Sequence, residues 1–236
     1  MINEIQNYGD FITELLAAGF SEGGSASGVV SVVPFGWGEP SPYPTRVRWH
    51  TGDADTDPWE WRLRVLAERD DIAYAKLFFK RSGFITREWY PRFLAARRGG
   101  RTFEDEYARG TVSHLCKTVY NAVREYDGGA IPAHTLRQTV GAGSKSAFDA
   151  AVTELQGRMF ITIAGGAQRV NRAGEQYGWT STAFATVERF WGDEITSAAD
   201  EYDADEAAAE IERRVLELNP DANPKLLAKF INKCAR

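Results

Sequence analysis

Residues 144–163 read Ser144-Lys145-Ser146-Ala147-Phe148-Asp149-Ala150-Ala151-Val152-Thr153-Glu154-Leu155-Gln156-Gly157-Arg158-Met159-Phe160-Ile161-Thr162-Ile163. Over Ser144–Gln156 the apolar residues Ala147, Phe148, Ala151, Val152 and Leu155 fall at i, i+1, i+4, i+5 and i+8, the spacing of one helix face. The period then changes. Met159-Phe160-Ile161-Thr162-Ile163 reads as a strand, Gly165-Gly166 as a turn, and Tyr177-Gly178-Trp179-Thr180 as a returning strand. Upstream, Thr111–Glu125 repeats the same helical spacing with Leu115, Cys116, Val119, Tyr120 and Val123. Between the two lies a short helix over Pro132–Val140, with Pro132 suited to a first turn and Gly141 to the exit. Three helices, a strand, a glycine-rich wing and a strand make residues 111–181 a winged-helix domain, because a plain bundle would not close with a hairpin.

Further out, Ile5, Tyr8, Ile12, Leu15 and Leu16 predict an N-terminal helix over 4–18, stopped by Gly19. The stretch Ser21–Pro58, rich in Gly, Ser, Pro and Asp, will not support long helices, and its Trp37 and Trp49 imply packing against something. Ile72–Lys80, a tight turn at Gly83 and Phe84-Ile85-Thr86 predict an aromatic-rich antiparallel hairpin. A helix follows, with Pro91 near its first turn and Arg97-Arg98-Gly99-Gly100 at its end. Two amphipathic helices, Ala207–Leu218 and Pro224–Lys233, close the chain. The expected fold class is α+β and mostly helical, with an N-terminal portion at 1–110, the winged helix at 111–181 and a helical extension at 182–236.

At 43% hydrophobic and 26% charged residues the composition is that of a globular protein, which excludes disorder of the whole chain. No apolar run reaches membrane-spanning length and no secretory leader is legible, so the expected compartment is the cytosol and no membrane partner is expected. Cys116 lies in an apolar helical pattern and reads as a buried free thiol. The net charge of −5 argues against indiscriminate coating of nucleic acid, but the charge is unevenly spread. Residues 1–60 have two basic and nine acidic groups, and 61–110 have twelve basic and seven acidic. A basic middle of this kind can place a positive face beside the winged helix, as a phosphate backbone requires, although proteins without anionic partners show such asymmetry too.

Several motifs fail on inspection. Asp53-Ala54-Asp55-Thr56-Asp57 resembles the start of a calcium loop, but Pro58 and Arg64 stand where Gly and Glu are needed, which leaves a solvated acidic turn. In Gly141-Ala142-Gly143-Ser144-Lys145-Ser146, Ser144 interrupts the Gly-Lys-Ser order of a phosphate loop, and a serine helix cap explains the segment better. His50, His114 and His134 lack metal-ligand spacing, and no metal or cofactor is expected. For DNA, the third helix of the winged helix is the element that enters the major groove. The candidate contacts are Ser144, Lys145 and Ser146, with Arg137 on the preceding helix and Arg169 and Arg172 on the wing. Lys80, Arg81, Arg97 and Arg98 are the candidate phosphate contacts of the basic segment. Asp149 and Glu154 on the third helix oppose phosphate.

Pro58-Trp59-Glu60-Trp61, then Ala73 to Ile85, then Glu88-Trp89-Tyr90-Pro91 and Arg97-Arg98-Gly99 resemble the AlkZ-related proteins, small relatives of the AlkZ-type DNA glycosylases. The resemblance is densest over 58–110. It implies a fold built on winged helices and a role at damaged DNA. The glycosylases of that group have a Gln-x-Gln or Gln-x-Asp catalytic motif. Here Gln6, Gln138, Gln156, Gln168 and Gln176 are not followed at the second position by Gln or Asp, so no catalytic residue is carried over. Three readings remain open: a DNA-binding winged-helix protein, a glycosylase-like enzyme with a rearranged site around Glu60 or Glu88, and a protein-interaction module. Eight aromatics of the 59–90 stretch, from Trp59 to Tyr90, read as core in preference to a base-stacking pocket.

Overall fold

The computed structural model describes residues 2–24, 28–141, 143–170 and 176–232, with only the backbone described at 169–170 and 176–179. The chain forms two compact units, one of residues 1–100 with 195–236 and one of 101–194. In the first, α1 (Tyr8–Ala18) starts at Asn7, whose side chain accepts from the Asp10 N–H, and stops at Gly19, whose φ of 93° favours glycine. Its buried face is Tyr8, Phe11, Leu15 and Ala18. The predicted stripe through Ile12 and Leu16 is displaced, and Leu16 is exposed. Phe11 takes the inward position because its ring stacks on Trp61 at 5.0 Å and meets Phe84 edge-on at 5.2 Å.

After β1 (Phe20–Glu22) the polar stretch to residue 57 forms no helix or strand among the described residues. It is anchored by Val29, Val30, Val32, Val33 and Val47, all buried. Trp49 packs as expected, its Nε1 donating to the Phe35 carbonyl at 3.1 Å, but Trp37 is 76% exposed. A helix not anticipated, α2 (Pro58–Glu68), begins with Pro58 in its first turn and Asp57 as its cap. Asp57 is fully buried, which corrects the solvated acidic turn at that residue. Next comes the expected hairpin of β2 (Ile72–Phe78) and β3 (Arg81–Thr86), and β1 pairs antiparallel with the other edge of β3. Its turn is not at Gly83. Phe79 and Lys80 take φ of 51° and 62°, the left-handed pair of a two-residue turn whose twist suits a hairpin. Gly83 lies inside β3 because a Cβ there would meet the Phe78 ring at 2.4 Å and the Ser21 carbonyl at 2.8 Å. In α3 (Tyr90–Arg98), Pro91 sits in the first turn and Gly99 caps the end, as predicted.

The second unit opens with α4 (Phe103–Ala108), started by a reciprocal Thr102–Asp105 capping box. Then come α5 (His114–Arg124), β4 (Ile131–Pro132), α6 (Ala133–Val140), α7 (Lys145–Gly157), β5 (Ile161–Val170), β6 (Gln176–Thr186) and α8 (Val187–Trp191). The helices match the periodicity to within a few residues, and the strands do not. Both run longer than predicted, and Gly165-Gly166 lies within β5, where Gly165 at φ 143° accompanies a register shift against β6. Pro132 caps α6 from outside its first turn, because Ile131 and Pro132 form a short edge strand against Phe184 and Ala183 of β6. A proline tolerates an edge because it has no N–H to leave unpaired. Buried Val119, Val123, Leu136, Phe148, Val152, Leu155 and Phe184 fill the space between helices and hairpin. Cys116 is buried and free, as expected.

The chain then returns to the first unit through α9 (Asp193–Asp200), α10 (Ala204–Leu218) and α11 (Pro224–Ile231). Helix α10 packs on α3. Phe230 of α11 is fully buried and stacks on Phe78 at 4.0 Å with an interplanar angle of 2°. No described helix is long and apolar enough to cross a membrane.

Candidate nucleic-acid interface

The first turn of α7 faces solvent. Ser144 caps it, accepting from the Ala147 N–H at 3.1 Å, and Ser144, Lys145, Ser146 and Asp149 are all exposed. The next two turns are buried through Ala151, Val152, Leu155 and Gln156. Gly141 ends α6 at φ 59°, three residues before the Ser144 cap of α7. Arg137 and Gln138, in the last turns of α6, are exposed. In the hairpin, Gln168 donates to Thr180 Oγ1 at 3.3 Å across β5 and β6. The Arg169 side chain and all of Arg172 lie outside the described residues.

The basic segment behaves differently from its sequence pattern. Arg97 is buried: its Nε donates to the Ile231 carbonyl at 3.0 Å and its Nη2 to the Phe230 carbonyl at 2.9 Å. Those are carbonyls of the last turn of α11, which has no intrahelical donor for them. Burial pulls the Arg97 guanidinium down to about 10, so it is charged at neutral pH and serves as an internal cap. Arg98 is buried too. Both residues are buried where the sequence pattern placed them as phosphate contacts, and burial weighs against that assignment. Arg64 pairs with Glu68 at 2.8 Å, Arg69 with Asp71 at 2.5 Å and Arg92 with Glu210 at 2.5 Å. Lys80 and Arg81 do reach solvent, at the tip of the β2–β3 hairpin in the first unit.

The sequence model of the AlkZ-related family matches residues 5–232, nearly the whole chain. This chain belongs to the AlkZ-related family. Membership suggests a role associated with DNA repair. Neither the curated proteins nor the solved structures compared with the chain gave a significant match.

In this AlkZ-related chain the described carboxylates lack the surroundings of an enclosed catalytic site. Glu60 and Glu88 are both exposed, so neither occupies an enclosed pocket. Three carboxylates are buried among the described residues: Glu22, Asp57 and Glu106. Asp57 accepts from the backbone N–H groups of His50, Thr51, Gly52 and Trp59 at 2.7–3.0 Å, a structural role that uses both oxygens. Glu106 pairs with Arg101 and with Arg158 at 2.9 Å and accepts from Thr111 Oγ1 at 2.5 Å. Burial alone would raise its carboxyl, but these partners outweigh burial and hold it below the ordinary range. Glu22 borders a cavity with Phe11, Trp49, Trp61, Arg62 and Tyr74, and this cavity measures about 10 Å³. That is room for one water molecule, not for an extruded base. A larger open hollow of about 330 Å³, bounded by Ile2, Val29, Pro34, Leu218 and Asn219 among others, has no titratable side chain on its wall among the described residues.

The signals that sequence reasoning missed are local. Asp57-Pro58 is a cap and first-turn proline that marks α2. The role of Arg97 had no sequence signal, because its acceptors lie more than 130 positions away.

Proposed function

We propose that this AlkZ-related protein binds duplex DNA through a winged-helix domain spanning about 111–181, with the first turn of α7 as the recognition element. The observation that carries the reading is the exposure of residues 144–147 at the start of α7, on a helix anchored along one face by buried Phe148, Ala151, Val152 and Leu155. A helix held in this way is rigid at its base and open where base edges would be read. The order helix, edge strand, helix, helix, hairpin supports the domain assignment, as does the antiparallel arrangement in which β6 pairs with both β5 and β4. Lys145 and Arg137 are the proposed phosphate contacts and Ser144 and Ser146 short donors at the helix start, with Arg169 and Arg172 as further candidates from the sequence. In the first unit Lys80 and Arg81 remain candidates. Arg97 and Arg98 do not.

Asp149 is exposed on the same helix and opposes a phosphate, so binding is expected to be modest and salt-sensitive. Fluorescence anisotropy with a labelled duplex tests this directly. Binding that weakens with salt and falls about tenfold or more in the doubly substituted Arg137→Glu, Lys145→Glu protein supports the reading. No binding at low salt, or binding indifferent to both substitutions, would refute it.

A further inference from the structure

The first unit has a second feature that packing does not explain. Trp37 is 76% exposed and Trp59 is 40% exposed, both unusual for the largest apolar side chain. His50 joins them. Its ring lies 4.7 Å from that of Trp59 and meets Trp37 at 5.4 Å with an interplanar angle of 87°. His50 is itself exposed, and its backbone is left-handed at φ 60°. The buried carboxylate of Asp57 holds this conformation, since it receives the N–H groups of His50, Thr51 and Gly52 on one side and of Trp59 on the other. One side chain therefore fixes two of the three rings. The Arg62 guanidinium lies 3.3 Å from the centre of the Trp59 ring.

We propose that Trp37, His50 and Trp59 form a stacking platform for an unpaired nucleobase, separate from the α7 face. The rings contact one another edge-on or tilted at 4.7–5.4 Å and share no plane, and Arg62 covers one face of Trp59, so Trp37 offers the principal surface for a flat ring, with His50 and Trp59 bordering it. Arg46, Arg48 and His50 are exposed and Val47 is buried, and Arg48 donates back to the Thr45 and Val47 carbonyls at 2.8 and 2.7 Å. Glu39, Asp53, Asp55 and Glu60 are also exposed nearby in sequence, so phosphate attraction is weak here and stacking carries the affinity. Choosing a nucleobase over another flat ring rests on the DNA reading above. The platform itself does not.

The test compares a labelled single strand of about ten thymidines with an abasic oligomer of equal length and charge, on the full chain. The platform predicts that the thymidine strand binds about tenfold or more tightly than the abasic one, with a shallow salt dependence. Trp37→Ala removes a solvent-facing ring and leaves the core intact; it should abolish most of that difference, and Trp37→Phe should restore part of it. Equal binding of the two oligomers, no binding of the thymidine strand, or an unchanged preference in Trp37→Ala and Trp59→Ala would overturn the proposal. The Arg137→Glu, Lys145→Glu protein separates the two readings. It should lose duplex binding and keep its preference for thymidine over abasic strands, whereas Trp37→Ala should do the reverse.

Discussion

The two units differ in what their cations touch. In the first, several arginines turn inward or pair: Arg97 caps α11 from inside the core, and Arg64, Arg69 and Arg92 meet carboxylates, while Lys80 and Arg81 stay in solvent at the hairpin tip. In the second, Arg189 serves the same kind of internal role, donating to the carbonyls of Val123, Tyr126, Gly129 and Arg124 around the end of α5. Yet that unit also leaves Arg137 of α6 and Lys145 at the start of α7 in solvent. The twelve basic residues in 61–110 suggest a positive face, but six of them, Arg64, Arg69, Arg92, Arg97, Arg98 and Arg101, are paired with carboxylates or buried. A count of charges along a sequence does not distinguish a guanidinium that caps a helix from one that meets water. Only its distance from a carbonyl does.

That contrast can be broken experimentally, and the largest effects belong to the first unit. Phe230→Ala removes a fully buried ring stacked on Phe78 and should cost about 3–5 kcal/mol in a urea titration, with duplex binding unaltered once the protein is folded. Arg97→Met leaves the Phe230 and Ile231 carbonyls without their donor and should cost about 1–3 kcal/mol. If it left stability unchanged but weakened DNA binding, Arg97 would be a surface contact after all and the contrast would fail.

Glu106 gives a prediction in pH. Its folded carboxyl is held below its unfolded value of about 4.3, so its stabilisation is fully present above that value and is lost as pH falls through the lower folded value. Glu106→Gln should lower the melting temperature at neutral pH by an amount corresponding to about 1–3 kcal/mol. The difference between the two proteins should shrink as pH drops below about 4. A difference constant across that range would mean that the ion pairs with Arg101 and Arg158 contribute nothing. The smallest effect on stability is expected for Lys145→Glu, within about 0.5 kcal/mol, because the residue is exposed.

Helical periodicity carried most of the architecture. The apolar faces of α5 and α7 were legible because Val119, Val123, Phe148, Val152 and Leu155 repeat at the spacing that buries them. Turns were less legible. The left-handed pair Phe79-Lys80 has no glycine or asparagine to announce it, and Gly83 drew attention for a steric role inside a strand. The aromatic run was rightly read as core for Trp61, Tyr74, Phe78, Phe84 and Tyr90, but Trp59 stands apart because α2 turns it away from the buried Trp61. At the candidate interface, the exposure of Lys145 followed from its place outside the apolar face. The burial of Arg97 depended on a helix far along the chain and was not readable.

We propose that the first turn of α7, not the basic segment, meets duplex DNA. The most direct measurement is a titration of isotope-labelled protein with a short duplex, followed by backbone amide shifts. The account predicts changes clustered at 137–149 and in the β5–β6 hairpin, with residues 92–98 unmoved. Changes concentrated at 62–98 with the α7 turn silent would contradict it.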